Sequence, residues 1–161
     1  MILGVHHIAI ATLDIERLAK FYCEAFGFTV VKIGGWEVDS ARHELVTGVK
    51  RSAAHSWMLK APNLFLELFE YREPRGHKEA DARLSDPGYT HFCLAVKDID
   101  AEYRRLQATG MRFHGPPPGQ PGDPVRAIYC RDIDGNSIEL IEFDPSAEHV
   151  YHVKHLGFDD R

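Results

Sequence analysis

The chain is poor in cysteine, has no long apolar run and carries no excess of positive charge. Cys23, Cys93 and Cys130 are its three cysteines, widely spaced and without a CxxC pair. That argues against a disulfide framework or a zinc knuckle and leaves them as buried free thiols. No stretch approaches the roughly 20 apolar residues that span a bilayer, and Met1 to His7 lacks the basic start and apolar core of a secretory leader. A soluble, cytoplasmic protein with no membrane partner is expected. Net charge is −5, and the 19 basic residues are dispersed. The mild cluster of Lys97, Arg104, Arg105 and Arg112 reads as one solvated helix face and its exit, so nucleic acid is not an expected partner. What is present is bulk: 161 residues, 44% of them hydrophobic, enough for one compact domain or two small modules sharing a core. Ten histidines invite a search for ligands.

The chain repeats itself once. His7-Ile-Ala-Ile-Ala-Thr-Leu-Asp14-Ile15-Glu16 lies over His91-Phe-Cys-Leu-Ala-Val-Lys-Asp98-Ile99-Asp100 at one constant offset. Both copies then lead to a glycine after a helix-like segment, Gly27 and Gly110. The modules also end alike, with Leu66-Glu67-Leu68-Phe69-Glu70-Tyr71 over Ile138-Glu139-Leu140-Ile141-Glu142-Phe143. The offset at this end is shorter because the first copy carries extra residues in its middle.

Each copy reads as strand, helix, then three strands, which places the chain in the α+β class as two tandem βαβββ modules. Residues 1–71 form the first module, with an insertion at 36–49; 72–88 are a linker rich in charge, proline and glycine; 89–143 form the second module. In the first, strands are expected at Val5 to Ala11, Phe28 to Ile33, Ser56 to Lys60 and Leu64 to Tyr71. Asp14 caps a helix that stops at Gly27. The spacing of Trp36, Val38, Leu45, Val46 and Val49 predicts a short helix in the insertion. In the second, strands are expected at Tyr89 to Val96, Met111 to His114, Val125 to Arg131 and Ser137 to Phe143, with Asp98 capping a helix to Ala108. Gly115 to Gly119 is a stiff loop, and Asp134-Gly135 signals a hairpin. The tail, 144–161, has no periodicity and is a candidate cover for the site or for a neighbouring subunit.

Side chains alternate faces along a strand. His7 therefore shares a face with Val5, Ala9 and Ala11, while His6 points the other way. The repeat selects His7, because its counterpart His91 opens the second copy. Glu67 shares a face with Phe65, Phe69 and Tyr71, and Glu139 with Ser137, Ile141 and Phe143. Carboxylates amid such residues are costly to bury unless paired or bound to a metal. Glu70 and Glu142 fall on the opposite face and read as solvated. Taken singly, each histidine is ordinarily a hydrogen-bonded structural residue and each glutamate a strand-end residue. Their recurrence as a set points to a metal held by His7, Glu67, His91 and Glu139. Imidazole and carboxylate suit Zn, Ni, Co, Mn or Fe(II).

These residues resemble the vicinal oxygen chelate superfamily, which includes glyoxalase I, methylmalonyl-CoA epimerase, extradiol dioxygenases and fosfomycin or bleomycin resistance proteins. The resemblance covers about residues 5–143. Val5-His6-His7-Ile8-Ala9-Ile10-Ala11 followed by Asp14 looks like the family's first strand and helix. Asp132-Ile133-Asp134-Gly135-Asn136-Ser137-Ile138-Glu139-Leu140 looks like its closing hairpin, and Glu67 in Leu-Glu-Leu matches the first module's ligand in bacterial glyoxalase I-like members. The resemblance implies paired modules forming a half-open barrel around one divalent ion per site, commonly in a homodimer. His7, Glu67, His91 and Glu139 each match a ligand position. The insertion at 36–49 and the long linker depart from the shortest members.

An ion with open positions can chelate two oxygens of a small carbonyl substrate and stabilise an enediolate-like anion, while a carboxylate moves the proton. The leading expectation is thus a lyase or isomerase, glyoxalase I-like or acyl-CoA epimerase-like, with Glu67 or Glu139 as base. Two alternatives stand beside it. One is an Fe(II) ring-cleaving dioxygenase, for which the resemblance implies three ligands, His7 or its equivalent, His91 and Glu139, with Glu67 a bystander and Tyr129 or His114 a helper. The other is an antibiotic-binding module, against which the four ligand-type residues count. His43, His55, Trp36 and Arg126 are assigned no role.

Overall fold

The structure is a computed structural model that describes residues 1–77 and 83–148. Residues 78–82 of the expected linker and 149–161 of the expected tail lie outside the described residues. The chain divides into two compact units, Met1–Glu79 and Ala80–Arg161.

The first unit runs β1 (His7–Ala11), α1 (Ile15–Phe26), β2 (Thr29–Trp36), α2 (Ala41–Thr47), β3 (Ala53–Lys60) and β4 (Phe65–Glu73). Its sheet has the order β1-β4-β3-β2. β1 is parallel to β4, and the other neighbours are antiparallel. Asp14 caps α1 by accepting the Arg17 N–H. At the other end Gly27 adopts the left-handed conformation (φ 69°) that closes a helix without a Cβ penalty. Ile15, Leu18, Ala19, Tyr22 and Ala25 form one buried stripe, and the helix packs on β3 and β4. Leu59, Leu66 and Leu68 are the large buried residues of those strands. Each such side chain contributes about 1.5–3 kcal/mol on burial.

The second unit runs β5 (Phe92–Ala95), α3 (Ile99–Ala108), β6 (Arg112–Phe113), β7 (Val125–Arg131) and β8 (Ser137–Phe143), in the order β5-β8-β7-β6. β5 is parallel to β8, so the connectivity of the first sheet is repeated. Asp98 caps α3 by accepting the Ala101 N–H. Ile99 and Leu106 of the helix, with Ile128, Ile138 and Leu140 of the sheet, are buried. The hairpin between β7 and β8 is built on Asp132, which is fully buried. Its carboxylate accepts the N–H groups of Asp134 and Asn136 and the Asn136 side-chain amide. This fixes the register that faces Tyr129 with Glu139 and Arg131 with Ser137.

In both units one sheet face is taken by a helix, and the alternate residues occupy the other. Among the described residues no helix is long and apolar enough to cross a membrane.

Some expectations need correction. β2 continues to Trp36 and β3 begins at Ala53, earlier than Ser56. The pairing of β2 with β3 runs through Gly34 and Gly35, and at Gly35 (φ 156°) an added Cβ would collide with the Ala54 carbonyl oxygen. The helix in the insertion exists, but it buries none of its residues, and Leu45 and Val46 are exposed. It is held by the His43 ring stacked on Trp36, with centroids 4.6 Å apart. Of the three cysteines only Cys130 is buried; Cys23 is half-buried and Cys93 exposed.

Candidate functional site

On the first sheet, β1 and β4 pair so that Ala9 faces Glu67. Going back two residues along β1 brings His7 onto the same face, and its Nε2 lies 3.4 Å from Glu67 Oε2. The other carboxylate oxygen, Oε1, accepts the Ser56 hydroxyl at 2.9 Å. The Glu67 side chain is 18% exposed, so it is largely withdrawn from water. Around it stand Phe65, Phe69 and Tyr71, alternate residues of β4. Trp36 meets Phe69 and Tyr71 edge-on and donates its indole N–H to Ser52. Burial, reinforced by the charge of Glu67, raises the Tyr71 phenol above its ordinary value.

The second sheet repeats this arrangement. Cys93 faces Glu139 across β5 and β8. His91, two residues before Cys93, places its Nε2 3.0 Å from Glu139 Oε2. The opposite ring nitrogen, Nδ1, is 2.9 Å from the Thr90 hydroxyl, which orients the ring. The Tyr129 ring meets the His91 ring edge-on at 4.8 Å. Burial and then the charge of Glu139 raise the Tyr129 phenol. The Cys93 thiol is pushed up to about 12, by burial first and by Glu139 second. The residue nevertheless keeps an exposed edge.

The structure thus brings together His7 with Glu67, and His91 with Glu139, each pair within one unit. Among the described residues no group of three or more His, Cys, Asp or Glu is gathered in metal-binding geometry. The donor set of each pair nevertheless fits a divalent ion. It consists of an imidazole Nε2 beside a mostly buried carboxylate whose other partners are a hydroxyl or a thiol. A carboxylate so enclosed gains from a cation.

His6 does not turn away from His7. Its ring stacks on Phe65 at 5.1 Å, and its Nδ1 lies 2.9 Å from His7 Nδ1. Glu70 and Glu142 are not merely solvated: they accept the backbone N–H of Ile15 and of Asp98. Arg126 is buried and paired with Asp100 through two hydrogen bonds of 2.7 and 2.9 Å. Ser56 and Thr90, which hold the site residues, were missed. Ser56 stands one strand over from Glu67, and only the β3–β4 register identifies it.

A profile described as the Glyoxalase/Bleomycin resistance protein/Dioxygenase superfamily matches residues 4–140. The chain is 30% identical over 155 residues to a 2-epi-5-epi-valiolone epimerase of Actinomyces sp, covering 89% of this chain and 81% of that protein. It is 31% identical over 147 residues to an ethylmalonyl-CoA/methylmalonyl-CoA epimerase of Cereibacter sphaeroides, covering 87% and 98%. Among solved structures, a glyoxalase family protein from Bacillus cereus superposes with a TM-score of 0.78 at 23% identity, covering 89% and 95%. A variant of the fosfomycin resistance protein FosX from Listeria monocytogenes, complexed with Mn(II) and 1S,2S-dihydroxypropylphosphonic acid, does so with 0.57 at 18%, covering 90% and 96%.

Proposed function

Because the chain belongs to the Glyoxalase/Bleomycin resistance protein/Dioxygenase superfamily, we propose that it is a divalent-metal-dependent isomerase moving a proton at the carbon beside a carbonyl of a small substrate. The observation that carries this reading is the His–Glu pair made twice, at matched register, on the open face of each sheet. Two epimerases among the relatives favour isomerase over lyase, and the Mn(II) complex of a protein of the same fold favours a metal.

His7 with Glu67, and His91 with Glu139, are the proposed donors. A divalent ion held by these donors would supply Lewis-acid polarisation of a carbonyl oxygen, making the neighbouring C–H more acidic.

The rest falls to the chain's own side chains. Epimerisation removes a proton from one face of a carbon and returns one to the other. Glu67 and Glu139 each stand beside an imidazole within their own unit, and each is a carboxylate able to take a proton from such a carbon. Ser56 holds Glu67 Oε1, so Oε2 is the oxygen turned toward His7. Burial and the nearby glutamate charge raise the Tyr71 and Tyr129 phenols, which favours their protonated form. The flanking Phe65, Phe69 and Trp36 limit water at Glu67, which strengthens every charge interaction there.

The test is α-proton exchange in deuterium oxide, followed by proton NMR, with methylmalonyl-CoA and with a cyclic polyhydroxy ketone of the valiolone type. The reading expects wash-in of deuterium for one class, lost in Glu67→Gln or Glu139→Gln. No exchange with either class, or full exchange in both variants, would overturn it.

A further inference from the structure

The histidine of each pair turns its second ring nitrogen to the residue just before it. His7 Nδ1 lies 2.9 Å from His6 Nδ1, and His91 Nδ1 lies 2.9 Å from the Thr90 hydroxyl. Adjacent residues inside a strand point to opposite faces. His6 and Thr90 stand outside β1 and β5, where that alternation no longer applies. His6 is anchored for the contact: its carbonyl accepts the Phe65 N–H at 3.1 Å, and its ring stacks on that of Phe65. The repeat thus keeps this place in both units but not the residue type. What imidazole and hydroxyl share is that each can donate or accept a hydrogen bond.

That property matches what the neighbouring ring needs. On its far side, His91 Nε2 lies 3.0 Å from Glu139 Oε2, and His7 Nε2 lies 3.4 Å from Glu67 Oε2. An ionised carboxylate only accepts. A neutral imidazole that turns an Nε2–H toward its glutamate has Nδ1 left as an acceptor, so the partner must donate. A neutral imidazole that gives its Nε2 lone pair to a cation carries the hydrogen on Nδ1, so the partner must accept. A lysine or arginine could serve only the first arrangement, and a backbone carbonyl only the second. A hydroxyl or a second imidazole serves both.

We propose that His6 and Thr90 are positioning residues, each fixing the ring of the following histidine against its glutamate and partnering Nδ1 in either tautomer. Only the part played toward a cation rests on the metal-dependent function proposed above; the hold on the rings does not.

The test is nitrogen-15 NMR of the histidine rings in the full chain, kept in chelator at about pH 9, above the reference imidazole value of about 6.5. The Nδ1 resonance of His91 should move in Thr90→Val, and that of His7 in His6→Phe, which keeps a ring on Phe65. Thr90→Ser and His6→Asn return a group that both donates and accepts, and should bring the resonances back. With chelator removed, zinc affinity measured by competition with a coloured chelator should fall about 10–100-fold in Thr90→Val and in His6→Phe. It should recover in Thr90→Ser and His6→Asn. If His6→Phe does not fold, Thr90→Val, which alters shape least, carries the test alone. Unmoved Nδ1 resonances, or shifts that Thr90→Ser and His6→Asn fail to reverse, would overturn the proposal. So would zinc bound as tightly by Thr90→Val as by the wild type. A wild type that binds no zinc would count against the metal-dependent function, while the ring spectra would still decide the positioning roles.

Discussion

Glu142 accepts the backbone N–H of Asp98 at 2.6 Å, reaching from the face of β8 opposite to Glu139. In the first unit Glu70, three residues after Glu67, accepts the Ile15 N–H at 3.1 Å. A strand that turns one glutamate onto the open face therefore turns the next toward the start of its own module's helix. Each satisfies a donor that the helix leaves without an internal partner. We expect Glu70→Ala and Glu142→Ala each to cost about 0.5–2 kcal/mol of stability in urea unfolding, with metal content unchanged. Loss of metal without loss of stability would show that these residues belong to the site.

Replacing Glu67 or Glu139 should act on chemistry rather than folding. The exchange rate at saturating substrate is expected to fall by about 10²–10⁴ for each glutamine variant. Ser56→Ala, which removes one neutral hydrogen bond from Glu67, should reduce it far less. Equal losses for Ser56→Ala and Glu67→Gln would mean that the carboxylate serves only as packing.

Acid should attack the Asp100–Arg126 pair. The Arg126 guanidinium holds the Asp100 carboxyl below its ordinary value. A depressed carboxyl contributes stability that is present above the unfolded value, about 3.9, and lost as pH falls through the lower folded value. The melting temperature of the wild type should therefore fall more steeply below about pH 4 than that of Asp100→Asn. Parallel curves for the two proteins would show that the pair carries no such linkage.

We also propose that the chain works as a homodimer. Light scattering behind a sizing column should give twice the 18.3 kDa of one chain; a mass of one chain at micromolar concentration would contradict this.

Much of this architecture was legible because the chain says it twice. β7 and β8 have the bounds that alternation predicts, and Asp14 and Asp98 cap the helices they were expected to cap. The departures have local causes. β2 runs past Ile33, where it was expected to end, through Gly35, whose missing Cβ admits the Ala54 carbonyl. Cys93 has apolar neighbours in sequence, yet it stands on the open face opposite Glu139. The roles of Glu70 and Glu142 depend on contacts 55 and 44 residues away, which alternation along one strand cannot reveal. The histidine and glutamate of each pair were legible for the opposite reason: the repeat places both in both modules.

The most direct test is elemental analysis of protein purified without chelator, beside the His7→Ala, His91→Ala double variant. The account predicts near-stoichiometric divalent metal in the wild type and little in the variant; nickel, zinc or cobalt would favour proton transfer, and iron would direct attention to oxygen chemistry. Equal metal in the two proteins, or none in the wild type after reconstitution, would contradict it.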